Sequence, residues 1–478
     1  MNTYPGSNTA AEHSEALTLA AKAVRKNPQA LFTNFQWFLY HSKNTVYFTA
    51  FSKTAFDKES LANFVAEMVS LAPQLTHGFR GALPGQPFPK HILDAITDAR
   101  EVDSFEGYPD KWLGKGLDIF QHDDLPLFRV YSITLRGGPD ENGHASMVLV
   151  RSSHALLEGH DSSLLTRSQS IAREAVAPRK KQKLPFKQRM GLAVGSLIGA
   201  SLQLYYANRK PVPEKVLGFR SVAIERKRIR DLANRIGVRQ RSLMFGLITQ
   251  ALNVAEKGPQ AELITAAYTM LDNSARSEFD DDQFRVRALN AKFPVKADFI
   301  DYVRSIDATL TANEAHDTTR FQFILMGMFA IHRRVSKVLP FLYGDKFFRF
   351  SSGKTDVVLT LVPPHRMYGN MTRNLVEPVY VGSFHPTANL CTFVPNRQYI
   401  TLNFAMEDRY LQRVKDIETL LETTERRDIP RGSGRRWCAP LQGRGRGSAS
   451  STSPLTPASA LPPNSSQMVT RCALLSAT

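Results

Sequence analysis

Hydrophobic residues form two patterns along the chain, and each pattern predicts a different element of secondary structure. Runs of β-branched and aromatic residues predict strands, whereas apolar residues three and four apart predict amphipathic helices. The predicted strands are 45–51, 126–135, 146–152, 220–224, 263–271, 356–362 and 399–405. The predicted helices are 60–71, 225–236 (ended by Gly237), 243–254 and 409–423. A Gly- and Pro-rich turn at 137–143 joins two of the strands into a hairpin. The pattern predicts an α/β protein.

Changes in composition divide the chain into five parts. Residues 178–187 are basic and contain two prolines, which is typical of an exposed connector. The parts are a flexible N-terminus (1–30), a first domain (31–177), a basic and apolar crossover linker (178–217), a second domain (218–430) and a disordered basic tail (431–478). The tail carries arginines, no acidic residue and Gly/Ser-rich tracts, which favour disorder.

The linker contains an apolar stretch, Gly191 to Ala207, that is nearly long enough to be compared with a membrane-spanning helix. Its length is near the lower limit of about 17 residues for a transmembrane helix. It also contains Ser196, Ser201 and Gln203, and basic residues flank it. These features favour a buried or interfacial helix over a membrane span, with a loosely ordered crossover as a third alternative.

Composition limits the classes of function. The chain has 478 residues, of which 42% are hydrophobic, so it can form two domains with buried cores. The net charge of +17 indicates a basic surface and tail that attract anionic lipid or the phosphates of coenzyme A. No basic recognition helix, zinc finger or aromatic RNA-binding motif accompanies this charge, so we expect no nucleic-acid partner. The chain has three cysteines, Cys391, Cys438 and Cys472, and their spacing shows no pairs. This pattern favours neither disulfides nor a zinc site, and it fits a reducing cytoplasm.

The clearest candidate for chemistry follows the strand at 146–152. His154 comes two residues after this strand, Glu158 four residues later, and Gly159 next. A histidine at a strand end is accessible from a cleft, and its ordinary pKa of about 6.5 makes it a base at neutral pH. Glu158 lies one helical turn away and can fix the loop by pairing with a basic side chain, while Gly159 allows a tight bend. The pattern alone equally fits a capped helix with a surface histidine.

Other chemical candidates are weaker. His160 and Asp161 suggest a metal cluster with His154, but helical spacing would separate the two histidines, so we expect no metal. Cys391 lies in a predicted β region and is expected to be a small core residue rather than a nucleophile. The chain has no Gly-rich phosphate loop and no GxSxG motif, which disfavours nucleotide-dependent enzymes and serine hydrolases.

The stretch MVLVRSSHALLEGHDSSLL (147–165) resembles the HHxxxDG motif of the wax ester synthase/diacylglycerol acyltransferase family. This family belongs to the CoA-dependent acyltransferases, with chloramphenicol acetyltransferase and peptide-synthetase condensation domains. His154 falls on the family's catalytic histidine and Gly159 on its glycine. Ser153 replaces the first histidine, and Glu158 replaces the aspartate.

Other stretches of the chain also resemble motifs of this family, and they occur in the same order along the sequence. Residues 124–129 (DLPLFR) resemble its Pro-Leu-Trp segment, and 356–369 (DVVLTLVPPHRMYG) resembles its Ser/Thr-Asn-Val-Pro-Gly-Pro strand and turn. Residues 376–384, 399–404 and 408–421 follow its order of strand, strand and helix. The chain departs from the family at Arg241 and Ser242, in place of Asn-Asp, and at Leu361 and Pro364 in the strand–turn motif.

The resemblance implies a fold of two chloramphenicol-acetyltransferase-like domains, with mixed sheets, flanking helices and an active-site tunnel at the domain interface. It implies an acyl-CoA-dependent O-acyltransferase in which His154 deprotonates an acceptor hydroxyl. The acceptor would be diacylglycerol or a long-chain alcohol, as in triacylglycerol and wax ester biosynthesis. Acyl-CoA would be the co-substrate, with no bound cofactor, no metal and no acyl-enzyme.

Two alternatives stay open at this point. One is a natural-product or condensation-type acyltransferase of the same superfamily, and the other is a non-catalytic protein that binds acyl-CoA or lipid. The oxyanion of the reaction needs a hydrogen-bond donor, which the sequence does not identify. The expected location is the cytoplasm, with peripheral contact at the inner face of the membrane or at a lipid droplet.

Overall fold

A computed structural model gives the fold of the central part of the chain. It describes residues 39–40, 43–71, 75, 77–78, 81–82, 88, 90–113, 119, 125–156, 186–207, 215–256, 263–271, 286–294, 298–315, 327–328, 330–331, 356–362 and 374–429. The predicted N-terminal segment (1–30) and the tail (431–478) lie outside these residues.

Strands and helices alternate along the described chain. The strands are β1 (Thr45–Ser52), β2 (His77–Gly78), β3 (Gly81–Ala82), β4 (Thr97–Val102), β5 (Phe128–Leu135), β6 (Ser146–Ser153), β7 (Leu217–Glu225), β8 (Leu263–Leu271), β9 (Val286–Pro294), β10 (Val357–Leu361), β11 (Leu375–Phe384), β12 (Leu390–Pro395) and β13 (Tyr399–Glu407). The helices are α1 (Lys58–Leu71), α2 (Lys90–Ile96), α3 (Asp110–Leu113), α4 (Phe186–Ala207), α5 (Arg226–Ile236), α6 (Gln240–Glu256), α7 (Phe299–Ala315), α8 (Asp408–Leu411) and α9 (Val414–Glu425).

The first sheet has the strand order β11-β1-β6-β5-β4. Its pairs are antiparallel except for β4 and β5, which run parallel. β6 is buried along its whole length, as expected for a central strand covered on both faces. Helix α1 packs on this sheet. Asp57 precedes the helix as its N-cap, because its Oδ1 accepts the Ser60 N–H at 2.8 Å.

The second sheet has the order β7-β13-β12-β10-β8-β9. It is also mixed, because β10 runs parallel to both neighbours, β8 and β12, while the other pairs are antiparallel. Helices α5, α6, α7 and α9 supply the large core that covers it. Gly237 ends α5 in the left-handed conformation, with φ of 81°, as the sequence predicts. The protein is therefore a mixed α/β fold of two mixed sheets with flanking helices.

Strand β11 joins the two sheets. Its backbone pairs with β1, so a strand from the second half of the chain completes the first sheet. On the other side, the Thr401 hydroxyl and the Asn403 amide of β13 donate to the carbonyls of Val379 and Val381, both at 2.9 Å. Side chains of one sheet thus satisfy backbone groups of the other, which a buried strand requires.

A close approach fixes the register between β1 and β11. Tyr47 pairs with Gly382, and a Cβ at position 382 would overlap the Tyr47 ring. The ring is buried and also packs edge-on against Phe219 of β7. Only a residue without a side chain leaves the ring its place across the strand.

The structure confirms the strands, the hairpin and most of the helices predicted from periodicity. The helix predicted at 409–423 is wrong in one respect, because it is divided into α8 and α9 by a turn at Gln412 and Arg413. The apolar stretch at 191–207 lies in the helix α4, which already begins at Phe186. Within the described residues, no helix has the length and apolarity that crossing a membrane requires. The predicted domain boundaries stay a prediction, although β11 enters the sheet formed mainly by the first half.

Replacing Asn403 tests the junction at β11. Asn403→Ala removes the amide that donates to Val381 and the Oδ1 that accepts from the Ser221 hydroxyl at 3.2 Å. We expect the free energy of unfolding to fall by about 1–3 kcal/mol, since a buried carbonyl loses its partner. Chemical denaturation followed by circular dichroism measures this change. The exposed Thr423→Ala is the control, and equal stability of the two variants would contradict the role of Asn403.

Candidate active site

The end of β6 places the backbone around His154. Ser153 still belongs to the sheet, since it pairs with Thr45 and its N–H donates to the Leu127 carbonyl at 2.8 Å. The N–H of His154 donates to the Asn44 carbonyl at 2.8 Å, which extends the β1–β6 ladder by one residue. The chain then turns, with the Leu156 N–H bonded to the Ser153 carbonyl at 3.0 Å. His154 therefore stands on a rigid strand end, as the sequence predicts.

The His154 ring is half-buried and has two unlike nitrogens. Nδ1 is enclosed and has no hydrogen-bond partner among the described residues. Nε2 is not among the enclosed atoms that lack a partner, and the residue as a whole is half-buried. Burial lowers the pKa of His154 below its ordinary value of 6.5, and its own backbone carbonyl opposes this effect. The imidazole is thus neutral at pH 7, the form that accepts a proton.

Ser153 has a structural role in the turn. Its side chain is fully buried, and its Oγ accepts the N–H of Ala155 at 3.2 Å. The hydroxyl of the preceding Ser152 donates to the Ser153 carbonyl at 3.2 Å. These bonds hold the turn that begins at His154. The other two predicted motif residues, Glu158 and Gly159, lie outside the described residues, as do His160 and Asp161.

Two of the residues that depart from the family motifs, Ser242 and Leu361, have packing roles in the structure. Ser242 donates its hydroxyl to Asp307 of α7 at 2.5 Å, and Arg239 binds the same carboxylate oxygen at 2.7 Å. Leu361 lies at the end of β10 and packs on the core of the second sheet. These contacts tie helices and sheet together and do not involve His154. Pro364 lies outside the described residues.

Cys391 is a core residue, as expected. Its side chain is fully buried in β12, and burial raises the pKa of its thiol well above the ordinary value. A thiol of this kind stays protonated and is a poor nucleophile. Among the described residues, no group of three histidine, cysteine, aspartate or glutamate side chains could hold a metal ion.

Two clefts open at sites remote from His154 in the sheets. The first, of about 420 Å³, lies at the junction of β7 and α5 and is lined by the basic side chains of Arg226, Lys227, Arg230 and Arg397. The second, of about 640 Å³, lies around Phe51 and the β5–β6 turn. Neither cleft includes His154, so the tunnel expected at the domain interface stays a prediction.

Sequence reasoning did not find Asn44, which the structure places beside His154. Asn44 belongs to no motif and precedes β1 by one residue, more than a hundred positions before His154. Its side chain is 8% exposed, and its Oδ1 is enclosed without a hydrogen-bond partner among the described residues. Only the pairing of β1 with β6 brings the two residues together, so a local pattern could not reveal this neighbour.

Comparisons with known proteins give similarities in structure alone. No protein-family model matches the chain, and no curated protein matches it. The similar solved structures include acyltransferases and peptide-synthetase condensation domains, and each resembles this chain only distantly.

Three of these structures illustrate the degree of similarity. A wax ester synthase/diacylglycerol acyltransferase from Marinobacter aquaeolei VT8 has a TM-score of 0.45 and 12% identity, over 80% of this chain and 92% of its own. Polyketide synthase associated protein 5 from Mycobacterium tuberculosis has a TM-score of 0.47 and 12% identity, over 82% and 96%. A trichothecene 15-O-acetyltransferase from Fusarium sporotrichioides has a TM-score of 0.47 and 10% identity, over 85% and 94%.

Titration of His154 tests the electrostatics of the site. Because burial disfavours the imidazolium, we expect the ring to titrate with a midpoint below 6.5. Histidine-selective NMR, with His154 assigned by the signal missing in His154→Ala, measures the midpoint. A midpoint at or above 6.5 would contradict the enclosed position of the ring.

Proposed function

We propose that the protein is an acyl-CoA-dependent O-acyltransferase with His154 as its general base. One observation carries the proposal: the half-buried His154 stands at the end of a hydrogen-bonded strand with its Nδ1 enclosed, within a motif that resembles that of an acyltransferase family. A base in this position needs neither a metal nor a second nucleophile to activate a hydroxyl.

The reaction follows from the chemistry of a neutral imidazole. Nε2 of His154 removes the proton of the acceptor hydroxyl as its oxygen attacks the thioester carbonyl. The tetrahedral intermediate carries the negative charge on the former carbonyl oxygen. When it collapses, the carbon–sulfur bond breaks, the ester forms, and the imidazolium returns its proton to the thiolate of coenzyme A. The lowered pKa of His154 keeps the base ready at neutral pH.

The base alone does not select the acceptor, since His154 activates any hydroxyl in the same way. We propose diacylglycerol or a long-chain alcohol, with a fatty acyl-CoA as donor. The family motif and the apolar surface of α4 support an apolar acceptor. A soluble acceptor that alone released coenzyme A would instead favour a natural-product or condensation-type enzyme. Binding of acyl-CoA without turnover would favour a non-catalytic role.

Helix α4 supports peripheral contact with a lipid surface. One face packs closely, because Gly199 lies against Met328 and Ile331, and Ser196 donates to the Gly327 carbonyl at 3.2 Å. The other face is apolar and exposed, with side chains spaced three, four and eight residues apart: Phe186, Met190, Val194, Leu197 and Tyr205. Arg189 is exposed beside this face, Lys187 belongs to the first turn of the helix, and Arg209 and Lys210 follow the helix in sequence. An apolar stripe with a basic border is suited to an anionic membrane surface.

Loss of the base tests the reaction. We expect His154→Ala to lower acceptor-dependent release of coenzyme A from palmitoyl-CoA by about 100- to 10,000-fold, the usual contribution of a general base. A thiol-reactive dye measures the release, with hexadecanol and diolein as acceptors. His144→Ala is the matched control, since this half-buried histidine stacks on Phe51 at the opposite end of the same sheet. Equal rates for wild type and His154→Ala would refute the role of His154.

Charge on α4 tests the lipid contact. We expect Met190→Glu/Leu197→Glu to abolish most co-sedimentation with vesicles of phosphatidylserine and phosphatidylcholine, since two carboxylates would replace exposed apolar side chains. Thr423→Glu, on an exposed position of α9, adds a carboxylate elsewhere and should leave binding unchanged. Undiminished sedimentation of the α4 variant would show that this face does not contact lipid.

A further inference from the structure

Asn44 shares a face of the first sheet with His154. Thr45 pairs with Ser153, and the His154 N–H donates to the Asn44 carbonyl, so Asn44 and His154 are the next pair of the same ladder. Paired residues of antiparallel strands direct their side chains to the same face, with Cβ atoms roughly 4.5–5.5 Å apart. The Asn44 amide and the His154 ring are therefore neighbours across two strands.

The Asn44 side chain carries a buried acceptor to which no group in the described part of the chain donates. Its Oδ1 is enclosed without a partner among the described residues. A buried polar atom in this state costs about 1–3 kcal/mol, so native proteins rarely keep one without a ligand, an ion or a water bound to it. The backbone is also constrained here, since Lys43 immediately before it adopts a φ of 53°. Both features indicate a side chain placed for a ligand.

His154 repeats the feature on the partner strand. Its Nδ1 is also enclosed and has no hydrogen-bond partner among the described residues, as is the case for the Oδ1 of Asn44. Two such atoms on adjacent strands delimit one polar site at the end of the sheet. The site contains a base and a carboxamide, a neutral group whose N–H bonds can be donated to an anion.

The alternative donor on the same turn faces the other way. Ser153 precedes His154 and therefore lies on the opposite face of the strand. Its Oγ accepts the Ala155 N–H, and its side chain is fully buried. This leaves Asn44 as the neighbour of His154 across the ladder with an amide group to donate.

We propose that the Asn44 amide donates a hydrogen bond to the oxyanion of the tetrahedral intermediate. This inference rests on the acyl transfer proposed above and names the donor which that reaction requires. The charge appears on the thioester oxygen as the acceptor attacks, within reach of a group beside the base. Asn44 forms and breaks no covalent bond, and its amide is neutral throughout. It stabilises the charge only where the charge develops, which accelerates the step without tighter ground-state binding.

Two substitutions of Asn44 in the full-length protein test the donor. Asn44→Ala removes the amide, and Asn44→Asp keeps its shape but replaces the donor with an acceptor. We expect both to lower kcat about 100- to 1,000-fold, as the loss of one oxyanion donor does. The KM for palmitoyl-CoA and the acid limb of the pH profile should stay as in wild type for Asn44→Ala. Ser52→Ala, a fully buried polar residue at the other end of β1, is the matched control and should keep the wild-type rate.

Thermal unfolding separates this role from a structural one. Because no described residue donates to the buried Asn44 Oδ1, Asn44→Ala should keep or raise the wild-type Tm. A Tm that falls together with kcat would assign Asn44 to the fold and overturn the proposal. A shifted acid limb would show that Asn44 only positions His154, which also overturns it.

The outcomes distinguish this inference from the proposed function. If His154→Ala is inactive while both Asn44 variants turn over within a few-fold of wild type, the acyl transfer stands and the donor assignment is wrong. If the wild-type protein releases no coenzyme A with hexadecanol, diolein or small alcohols, the proposed function and this inference fail together.

Discussion

The arrangement of the molecule depends on the hydrogen bonds along both edges of β11. An extended strand presents carbonyls on two sides, and each needs a partner when the strand is buried. β1 supplies backbone partners on one side, and the side chains of Thr401 and Asn403 supply partners on the other. Because the same strand is bonded to both sheets, the two sheets cannot shift relative to each other without breaking these bonds.

This junction also sets the surroundings of His154. β11, β1 and β6 are adjacent in the first sheet, and the pairing of Thr45 with both Phe384 and Ser153 aligns their ends. The His154 backbone is bonded to Asn44, just beyond the aligned ends. A base that must meet a substrate in a defined geometry gains from such a support, since strands hold side chains more firmly than loops do. The rigidity of the sheet is thus part of the proposed chemistry.

The sequence was informative where a signal is local. His154 was identifiable because its motif spans a few residues, and α5 because its apolar face and Gly237 follow a helical pattern. β4 was not predicted, since its sequence, TDAREV, has no apolar alternation and it forms only by pairing with β5. Asn44 was missed for a related reason. Its importance depends on strand pairing over a long sequence separation, which no single stretch of residues encodes.

The pairing of β1 with β11 has a consequence for synthesis of the protein. Thr45 and Phe384 are more than three hundred residues apart, so the edge of β1 has no strand to bind until most of the chain has left the ribosome. Before that point one edge of β1 has unpaired backbone N–H and carbonyl groups, although most of the strand is buried in the finished fold. Such an edge is a template for association with other chains. Closing so long a loop is also slow compared with forming the local hairpin of β5 and β6. A chain truncated before β11 would therefore keep one edge of β1 without its strand partner.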